Sequence, residues 1–114
     1  MQLWAMPITL RASQALRLWQ QVALSEVESG LHDLSMRQAA ILLTVYLDAP
    51  PHTVRGLAAK VPTYVTIKDV MGLLGRHRDD SDRRNVLVRR TVEGALYVER
   101  FGDVIIARAK GLPL

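Results

Sequence analysis

The sequence has no cysteine among its 114 residues, and this absence removes several classes of protein. A disulfide scaffold, a zinc site made of thiolates and a cysteine nucleophile are all excluded. Only three histidines are present, at positions 32, 52 and 77, so there is little material for a metal site. The lack of disulfides fits a reducing compartment, and we expect a cytoplasmic protein.

Long hydrophobic runs are missing as well. Residues 38–47 form one of the longest uncharged stretches, and its 10 residues are too few to span a bilayer. The first residues lack the basic start and apolar run of a signal peptide. Aromatic residues make up only 5 %, yet 49 % of the chain is hydrophobic and 23 % is charged, as in ordinary folded proteins. We therefore expect one domain over residues 1–114 that does not associate with a membrane.

The positive charge that is present comes mostly from arginine. The net charge is +4, and 12 of the 15 basic residues are arginine. Between positions 76 and 90 there are six arginines and only three aspartates. Because the planar guanidinium group suits phosphates and guanine edges, this local basic patch is a first sign of nucleic-acid binding.

The spacing of apolar residues predicts a mainly α chain. Helices are predicted at 9–29 with Thr9 as the cap, at 36–47 after Ser35, at 54–61 after Thr53, and at 92–110 after Thr91. The helix at 36–47 is almost uniformly apolar and is expected to be central and buried. A further helix of about ten residues is predicted from the spacing of Ile67, Val70, Met71 and Leu74, with Gly75 following it.

A small β-hairpin is predicted between the last two helices. Residues 86–90 are β-branched and alternating, and the polar stretch before them reads as a hairpin tip. Two short helices joined by a tight turn and followed by a basic hairpin describe a winged helix-turn-helix. In that architecture the second short helix enters the major groove and the hairpin, or wing, follows the DNA backbone.

The two end helices, 9–29 and 92–110, have more apolar surface than a small core can cover. We therefore expect them to form the interface of a homodimer around the DNA-binding part at 35–91, which suits a two-fold symmetric DNA site. Trp19 also admits a ligand-stacking role. The predicted interface residues are Leu16, Trp19, Val22, Phe101, Val104 and Ile105.

Residues from three segments are predicted to contact double-stranded DNA. In the wing they are Arg76, Arg78, Arg83 and Arg84; at the start of the fourth predicted helix they are Thr63, Tyr64, Thr66 and Lys68; in the third helix it is Arg55. Asp82 is expected to hold Arg84 or Arg78 in place through a charge-assisted hydrogen bond. Plain solvated surface for the arginines, helix capping for Thr63 or Thr66, and core packing for Tyr64 are the alternatives.

Residues 78–91, Arg-Asp-Asp-Ser-Asp-Arg-Arg-Asn-Val-Leu-Val-Arg-Arg-Thr, resemble the wing signature of bacterial MarR-type regulators, with Gly94 three residues later. Residues 34–38 and 53–58 are similar to two helix starts of that family. The resemblance implies a dimeric DNA-binding transcription regulator, often a repressor that responds to a small-molecule effector. The 17 residues at 62–78 are fewer than the family pattern implies. We therefore expect a short recognition helix or a first wing strand that is nearly absent.

The sequence offers no sign of an enzyme. No serine sits between the glycines of a nucleophile elbow, and no glycine-rich phosphate loop is present. The aspartates at 79, 80 and 82 have arginines on both sides, which disfavours a metal ion there. We expect no catalysis, no cofactor and no metal. The second hypothesis is a protein-interaction adaptor on the same scaffold, with weakened or lost DNA binding, that pairs with an intact regulator through its end helices.

Overall fold

Four helices and three short strands account for the regular structure that the computed structural model describes, over residues 9–30, 32–61 and 72–112. In chain order they are α1 (Ala12–Ser29), α2 (Met36–Leu47), β1 (His52–Thr53), α3 (Val54–Lys60), β2 (Leu74–Arg78), β3 (Val86–Arg90) and α4 (Val92–Lys110). Within the same residues, no helix is both long and apolar enough to cross a membrane.

Three of the predicted helix caps are confirmed. The hydroxyl oxygens of Ser35, Thr53 and Thr91 each accept a hydrogen bond from the backbone N–H three residues later, at 3.1, 2.9 and 2.9 Å. Each bond satisfies one of the N–H groups that a helix start leaves unpaired. These side chains therefore fix where α2, α3 and α4 begin. At the other end of α1, Gly30 adopts the left-handed conformation with φ 64°, as expected for a helix stop.

The first helix begins later than the sequence predicts. Its N-cap is Arg11, so the assignment of Thr9 as the cap is wrong. The Gln14 side chain accepts a hydrogen bond from the Arg11 backbone N–H at 2.9 Å. A glutamine at the third position of the helix thus pairs the backbone N–H of the cap residue.

The strands form one antiparallel sheet in the order β1-β3-β2. The predicted hairpin is β2 with β3, in a register that pairs Arg78 with Val86 and Leu74 with Arg90. The expectation that the first wing strand is nearly absent is wrong, since β2 has five residues. Leu74 and Gly75 belong to this strand rather than to the end of a helix, because Leu74 pairs with β3 and is buried in the core. Ile67, Val70 and Met71 of that predicted helix fall within residues 62–71, which lie outside the described residues.

The third strand, β1, was not predicted. His52 pairs with Val88 and is only 7 % exposed. Its Nε2 lies 3.1 Å from the carbonyl oxygen of Asp48. Two residues after a pair of prolines carry no readable periodicity, so only the partner strand reveals this element.

The core lies where α2 meets the sheet and α4, which confirms α2 as the central buried helix. Its buried members are Ile41, Leu42, Val45, Leu57, Leu73, Leu74, Val88 and Tyr97. Residues from α2, α3, both wing strands and α4 thus share one cluster. Each fully buried aliphatic side chain contributes about 1.5–3 kcal/mol to this packing.

A polar junction built on Tyr46 fixes the base of the wing to α2 and α4. The Tyr46 hydroxyl lies 3.2 Å from the Leu73 carbonyl oxygen and 3.0 Å from that of Thr91, and accepts from the Thr91 N–H at 3.1 Å. Gly94 packs so closely here that a Cβ on it would overlap the Leu73 carbonyl oxygen and the Tyr46 hydroxyl. The start of α4 therefore needs glycine for close approach.

These elements form a winged helix-turn-helix architecture flanked by two long end helices, and the predicted fold class is confirmed. The hairpin projects from the core at one side, while α1 packs against α4. The wing and the α1–α4 pair thus offer two separate surfaces for interaction.

Candidate nucleic-acid interface

The tip of the wing, residues 79–85, is an ordered loop closed by its own backbone. The Asp79 N–H donates to the Asn85 carbonyl at 3.0 Å, and the Asn85 N–H donates to the Asp82 carbonyl at 2.9 Å. From β2, the Arg78 guanidinium donates to the Arg83 carbonyl oxygen at 2.7 Å. These bonds pair backbone groups that would otherwise need water as a hydrogen-bond partner. They also fix the path of the loop that carries Arg83 and Arg84.

The predicted contact between Asp82 and Arg84 is present. The Asp82 carboxylate accepts from the Arg84 backbone N–H at 3.1 Å and from the guanidinium Nε and Nη2 at 3.1 and 3.3 Å. The hydrogen bonds from the Arg84 side chain and backbone hold the pKa of Asp82 below its ordinary value. The carboxylate therefore stays charged near neutral pH and orients a guanidinium whose side chain is 88 % exposed. Arg78, the other predicted partner, bonds to the Arg83 carbonyl instead.

Asp79 organises the other half of the tip. One of its carboxylate oxygens accepts from the Ser81 hydroxyl at 2.7 Å and from the Ser81 N–H at 2.9 Å, and these bonds lower the pKa of Asp79. Two of the three aspartates of the tip therefore serve the loop itself. Across residues 9–30, 32–61 and 72–112, no group of three histidines, cysteines or carboxylates is placed to hold a metal ion.

The predicted arginines of the described residues lie on the wing and at the start of α3. Arg55, Arg76, Arg78, Arg83 and Arg84 are all exposed. By the alternation of a strand, Arg76 and Arg78 share one face of the hairpin. The positive charge of Arg55, in the first turn of α3, contributes to lowering the pKa of Asp82, so α3 begins near the tip. The start of α3 and the tip of the wing thus carry neighbouring positive charges.

Two further arginines of the basic patch between positions 76 and 90, Arg89 and Arg90, have different surroundings. Arg89, which the site prediction omitted, is exposed on β3 beside Gly75 of β2, on the face of the hairpin opposite to Arg76 and Arg78. Arg90 instead donates to the carbonyl oxygens of Val45 and Tyr46, both at 3.1 Å, and lies 5.5 Å from the centre of the Tyr46 ring. It thereby pairs carbonyl groups in the last turn of α2 that the helix leaves open. Nothing in the local sequence distinguishes these two neighbours, because only the fold brings α2 beside one of them.

Four predicted contacts cannot be placed. Thr63, Tyr64, Thr66 and Lys68 lie outside the described residues, so their roles at the major groove, or as caps and core residues, stay predictions.

The predicted dimer residues fall into two groups. Leu16 and Trp19 are 70 % and 53 % exposed, whereas Val22 is 3 % exposed and lies in the interior of its own chain. Phe101, Val104 and Ile105 are half-buried. The helical spacing identified Val22 as part of an apolar face but could not tell which neighbour covers it. The largest exposed apolar side chains of α1 and α4 also include residues that the prediction left out, namely Leu24, Val27, Val92, Leu96 and Ile106.

Comparison with known proteins finds solved structures that are similar to this chain. No protein-family model and no curated protein matches the chain. The PcaV transcriptional regulator from Streptomyces coelicolor is 30 % identical, with 90 % of this chain and 79 % of that chain covered and a TM-score of 0.57. The transcriptional repressor CouR, solved on a 23-mer DNA duplex, is 22 % identical with 87 % and 72 % covered and a TM-score of 0.64. MarR is 21 % identical with 89 % and 78 % covered and a TM-score of 0.60.

Fold and site together define a winged helix-turn-helix protein with a basic, ordered wing. The likeness to CouR and MarR bears on the fold, while the identity to PcaV extends over most of both chains. The chain belongs to the MarR-type winged helix-turn-helix transcriptional regulators, as the wing signature at residues 78–91 implies.

Proposed function

We propose that the protein is a homodimeric regulator that binds double-stranded DNA and represses transcription. The observation that carries the proposal is the wing, where exposed guanidinium groups stand on a loop that its own aspartates and backbone hold in shape. A preordered cationic loop loses little conformational entropy when it docks on a polyanion. CouR, similar in fold, was solved on a DNA duplex, which supports the same partner.

In this proposal the arginines supply affinity through phosphates. Arg83 and Arg84 at the tip reach the backbone or the minor groove, where the planar fork pairs with phosphate oxygens. Arg55, Arg76 and Arg78 extend the contact toward α3. Asp82 does not touch DNA, because a carboxylate is repelled by phosphates. It holds the Arg84 guanidinium at the correct angle.

The end helices are proposed to join two copies of the chain. Large apolar side chains on α1 and α4, such as Leu16, Val27 and Leu96, are 62–75 % exposed in the single chain. Large apolar side chains that are this exposed favour burial against a partner. A second copy would place two wings around a two-fold axis, which matches a palindromic DNA site.

A small-molecule effector is the third part of the proposal. A cleft lies where α1 and α4 meet the start of α2, between the proposed dimer helices and the core that carries the wing. A ligand there would contact both parts. Any preference of that ligand for one arrangement of the helices would change DNA affinity by the same factor that DNA changes ligand affinity.

The experiment is a salt series with fluorescently labelled duplex DNA, read by anisotropy. We expect affinity to fall steeply and log-linearly as NaCl rises, because neutralised phosphates release counterions. A flat response, or no binding at low salt, would contradict the proposal. If the protein is also a dimer by gel filtration and captures an intact regulator, that outcome supports the adaptor hypothesis instead.

A further inference from the structure

Arg83 and Arg84 are the two central residues of one tight turn at the end of the wing. The Asn85 N–H donates to the Asp82 carbonyl oxygen at 2.9 Å, which is the bond from the fourth residue of a β-turn to the first. Both arginines are exposed on this tip turn, residues 82–85. Their guanidinium groups therefore project from whatever backbone arrangement the tip turn adopts.

The peptide group between Arg83 and Arg84 is the part of the tip turn that the closing bond does not reach. β-turns of types I and II share that closing bond and differ in the direction of the central peptide, by about 150° in ψ of the second residue and about 170° in φ of the third. A central peptide without partners can therefore change direction while the turn stays closed. Such a change alters the backbone from which Arg84 projects, so DNA would meet several arrangements of the tip.

In this wing, side chains pair both ends of the central peptide. The Asp82 carboxylate accepts from the Arg84 N–H at 3.1 Å, and the Arg78 guanidinium donates to the Arg83 carbonyl oxygen at 2.7 Å. A guanidinium makes a stronger bond to a carbonyl than a neutral donor does, because its charge assists the bond. The central peptide is therefore held from its N–H side and from its carbonyl side.

The bond from Arg78 joins the tip turn to the sheet. Asp82 belongs to the tip turn itself, whereas Arg78 is the last residue of β2 and pairs with Val86 in the ladder. The ladder holds the backbone of Arg78, so its guanidinium anchors the tip turn to a fixed strand. The sequence predicted Arg78 only as a contact to DNA, because a carbonyl five residues away across a hairpin leaves no signal in the sequence.

We infer that Arg78 is a positioning residue for DNA binding, which acts by holding the central peptide of the tip turn together with Asp82. Arg83 and Arg84 make the contacts, and Arg78 keeps the backbone beneath them in one arrangement, so less conformational entropy is lost on docking. This role is additional to the positive charge that Arg78 places near the phosphates. It rests on the proposed function, since positioning affects affinity only if the wing binds DNA.

Arg76 provides a matched control for Arg78. It lies two residues earlier on β2, on the same face of the hairpin, and is exposed as well. Arg76→Ala and Arg78→Ala thus remove the same charge from neighbouring places, but the second also removes the bond to the tip turn.

The first measurement is ¹⁵N relaxation of the Arg83 and Arg84 amides in the full chain without DNA. The order parameters are expected near about 0.85 in the original chain and in Arg76→Ala, and to fall toward about 0.6 in Arg78→Ala. The same order parameters in all three proteins would overturn the inference. The urea midpoints of the two variants are expected to agree, and a lower midpoint for Arg78→Ala alone would assign its effect to stability and overturn the positioning role.

The second measurement is a double-mutant cycle on DNA affinity, with each variant made in the original chain and in Arg83→Ala/Arg84→Ala. In the original chain, Arg78→Ala is expected to cost about fivefold more affinity than Arg76→Ala, on each of two unrelated duplexes. In the background without tip arginines the two substitutions are expected to cost the same factor, because no guanidinium is left there to position.

The outcomes of the cycle separate positioning from contact. An excess loss for Arg78→Ala that persists in the background without tip arginines would mean that Arg78 acts through its own contact with DNA, and would overturn the inference. Equal losses for Arg76→Ala and Arg78→Ala in the original chain would overturn it as well. Absence of DNA binding by the original chain would contradict the proposed function, and the relaxation data then decide by themselves whether Arg78 holds the tip turn.

Discussion

The wing and the cleft between α1, α2 and α4 hold their charged groups in different ways. At the wing, exposed arginines outnumber the aspartates that position them, and the Arg84 side chain is 88 % exposed. In the cleft between α1, α2 and α4, the Glu26 side chain is only 16 % exposed and pairs with the Arg100 guanidinium at 3.2 Å. The net charge of +4 for the whole chain therefore describes neither region. The wing thus leaves its guanidinium groups exposed, whereas the cleft pairs its buried carboxylate within the chain.

A second contrast lies within the wing itself, between Arg84 and Arg90. Both belong to the same basic stretch of sequence. Arg84 bonds to a carboxylate two residues away and points into solvent, whereas Arg90 bonds to two carbonyl groups of α2. Arginine content therefore overstates the DNA-binding surface, because one of these side chains contributes to the fold instead.

The largest expected effect comes from breaking the junction that joins the two surfaces. In Gly94→Ala the new methyl group would overlap the Leu73 carbonyl oxygen and the Tyr46 hydroxyl. Because one of these atoms is backbone, the start of α4 must shift, and we expect the free energy of unfolding to fall by about 3 kcal/mol. Urea denaturation followed by circular dichroism measures it.

Gly102→Ala in the same helix is the matched control. No described atom lies within 4 Å of the position that its Cβ would take. Alanine is the better helix former, so stability is expected to rise by about 0.5–1 kcal/mol. If the two variants lost stability equally, the close packing at Gly94 would not be what holds α4 to the wing.

The next effect is on the wing alone. Arg83→Ala/Arg84→Ala is expected to weaken DNA binding by about 1–3 kcal/mol in total, and by the same amount for every duplex sequence, since phosphates carry no sequence information. Anisotropy titrations on two unrelated duplexes measure this. Arg17→Ala/Arg37→Ala removes the same charge from α1 and α2 and should change little. A loss confined to one duplex would mean that the wing reads bases.

A smaller effect tests the contrast within the wing. Arg90→Ala removes two hydrogen bonds to α2 carbonyls, so we expect about 1 kcal/mol less stability. Arg84→Ala should leave stability within about 0.5 kcal/mol, as for an exposed side chain. Thermal and urea unfolding of both variants make the comparison. Equal stabilities would show that the contacts of Arg90 with α2 contribute nothing.

The smallest effect concerns protons at the wing tip. Because its bonds to Arg84 lower the pKa of Asp82, the carboxyl should titrate below its ordinary 3.8. The contribution of the Asp82 carboxylate to holding the wing tip is therefore present above its ordinary pKa of 3.8 and is lost as the pH falls through the lowered pKa. A carboxyl-detected NMR titration measures the midpoint. A midpoint at or above 3.8 would mean that the bonds seen here do not persist in solution.

Much of the fold could be predicted because its signals are local. Ser35, Thr53 and Thr91 cap the helices that follow them, and the alternation at residues 86–90 is a strand. β1 could not be predicted, since two residues show no period and form a strand only by pairing with β3. Leu74 fitted a helical spacing equally well, and long-range pairing decided against it.

The two surfaces differed in how far sequence reasoning reached. The wing arginines and the Asp82 contact with Arg84 follow from neighbours in the chain. The surroundings of Glu26 in the cleft do not follow from neighbours in the chain, because Glu26 contacts Tyr97 and Arg100 across more than 70 residues of sequence. From the sequence alone, a single glutamate on a helix is expected to be solvated. Only the packing of α1 on α4 shows that Glu26 is enclosed.

The salt dependence of DNA binding in the wing variant tests the central claim most directly. If Arg83 and Arg84 each neutralise one phosphate, the slope of log affinity against log salt should become shallower by about 1.8 in Arg83→Ala/Arg84→Ala, at about 0.9 per contact. Arg17→Ala/Arg37→Ala should keep the slope of the original chain. An unchanged slope in the wing variant, with or without a change in affinity, would contradict phosphate contact by the wing.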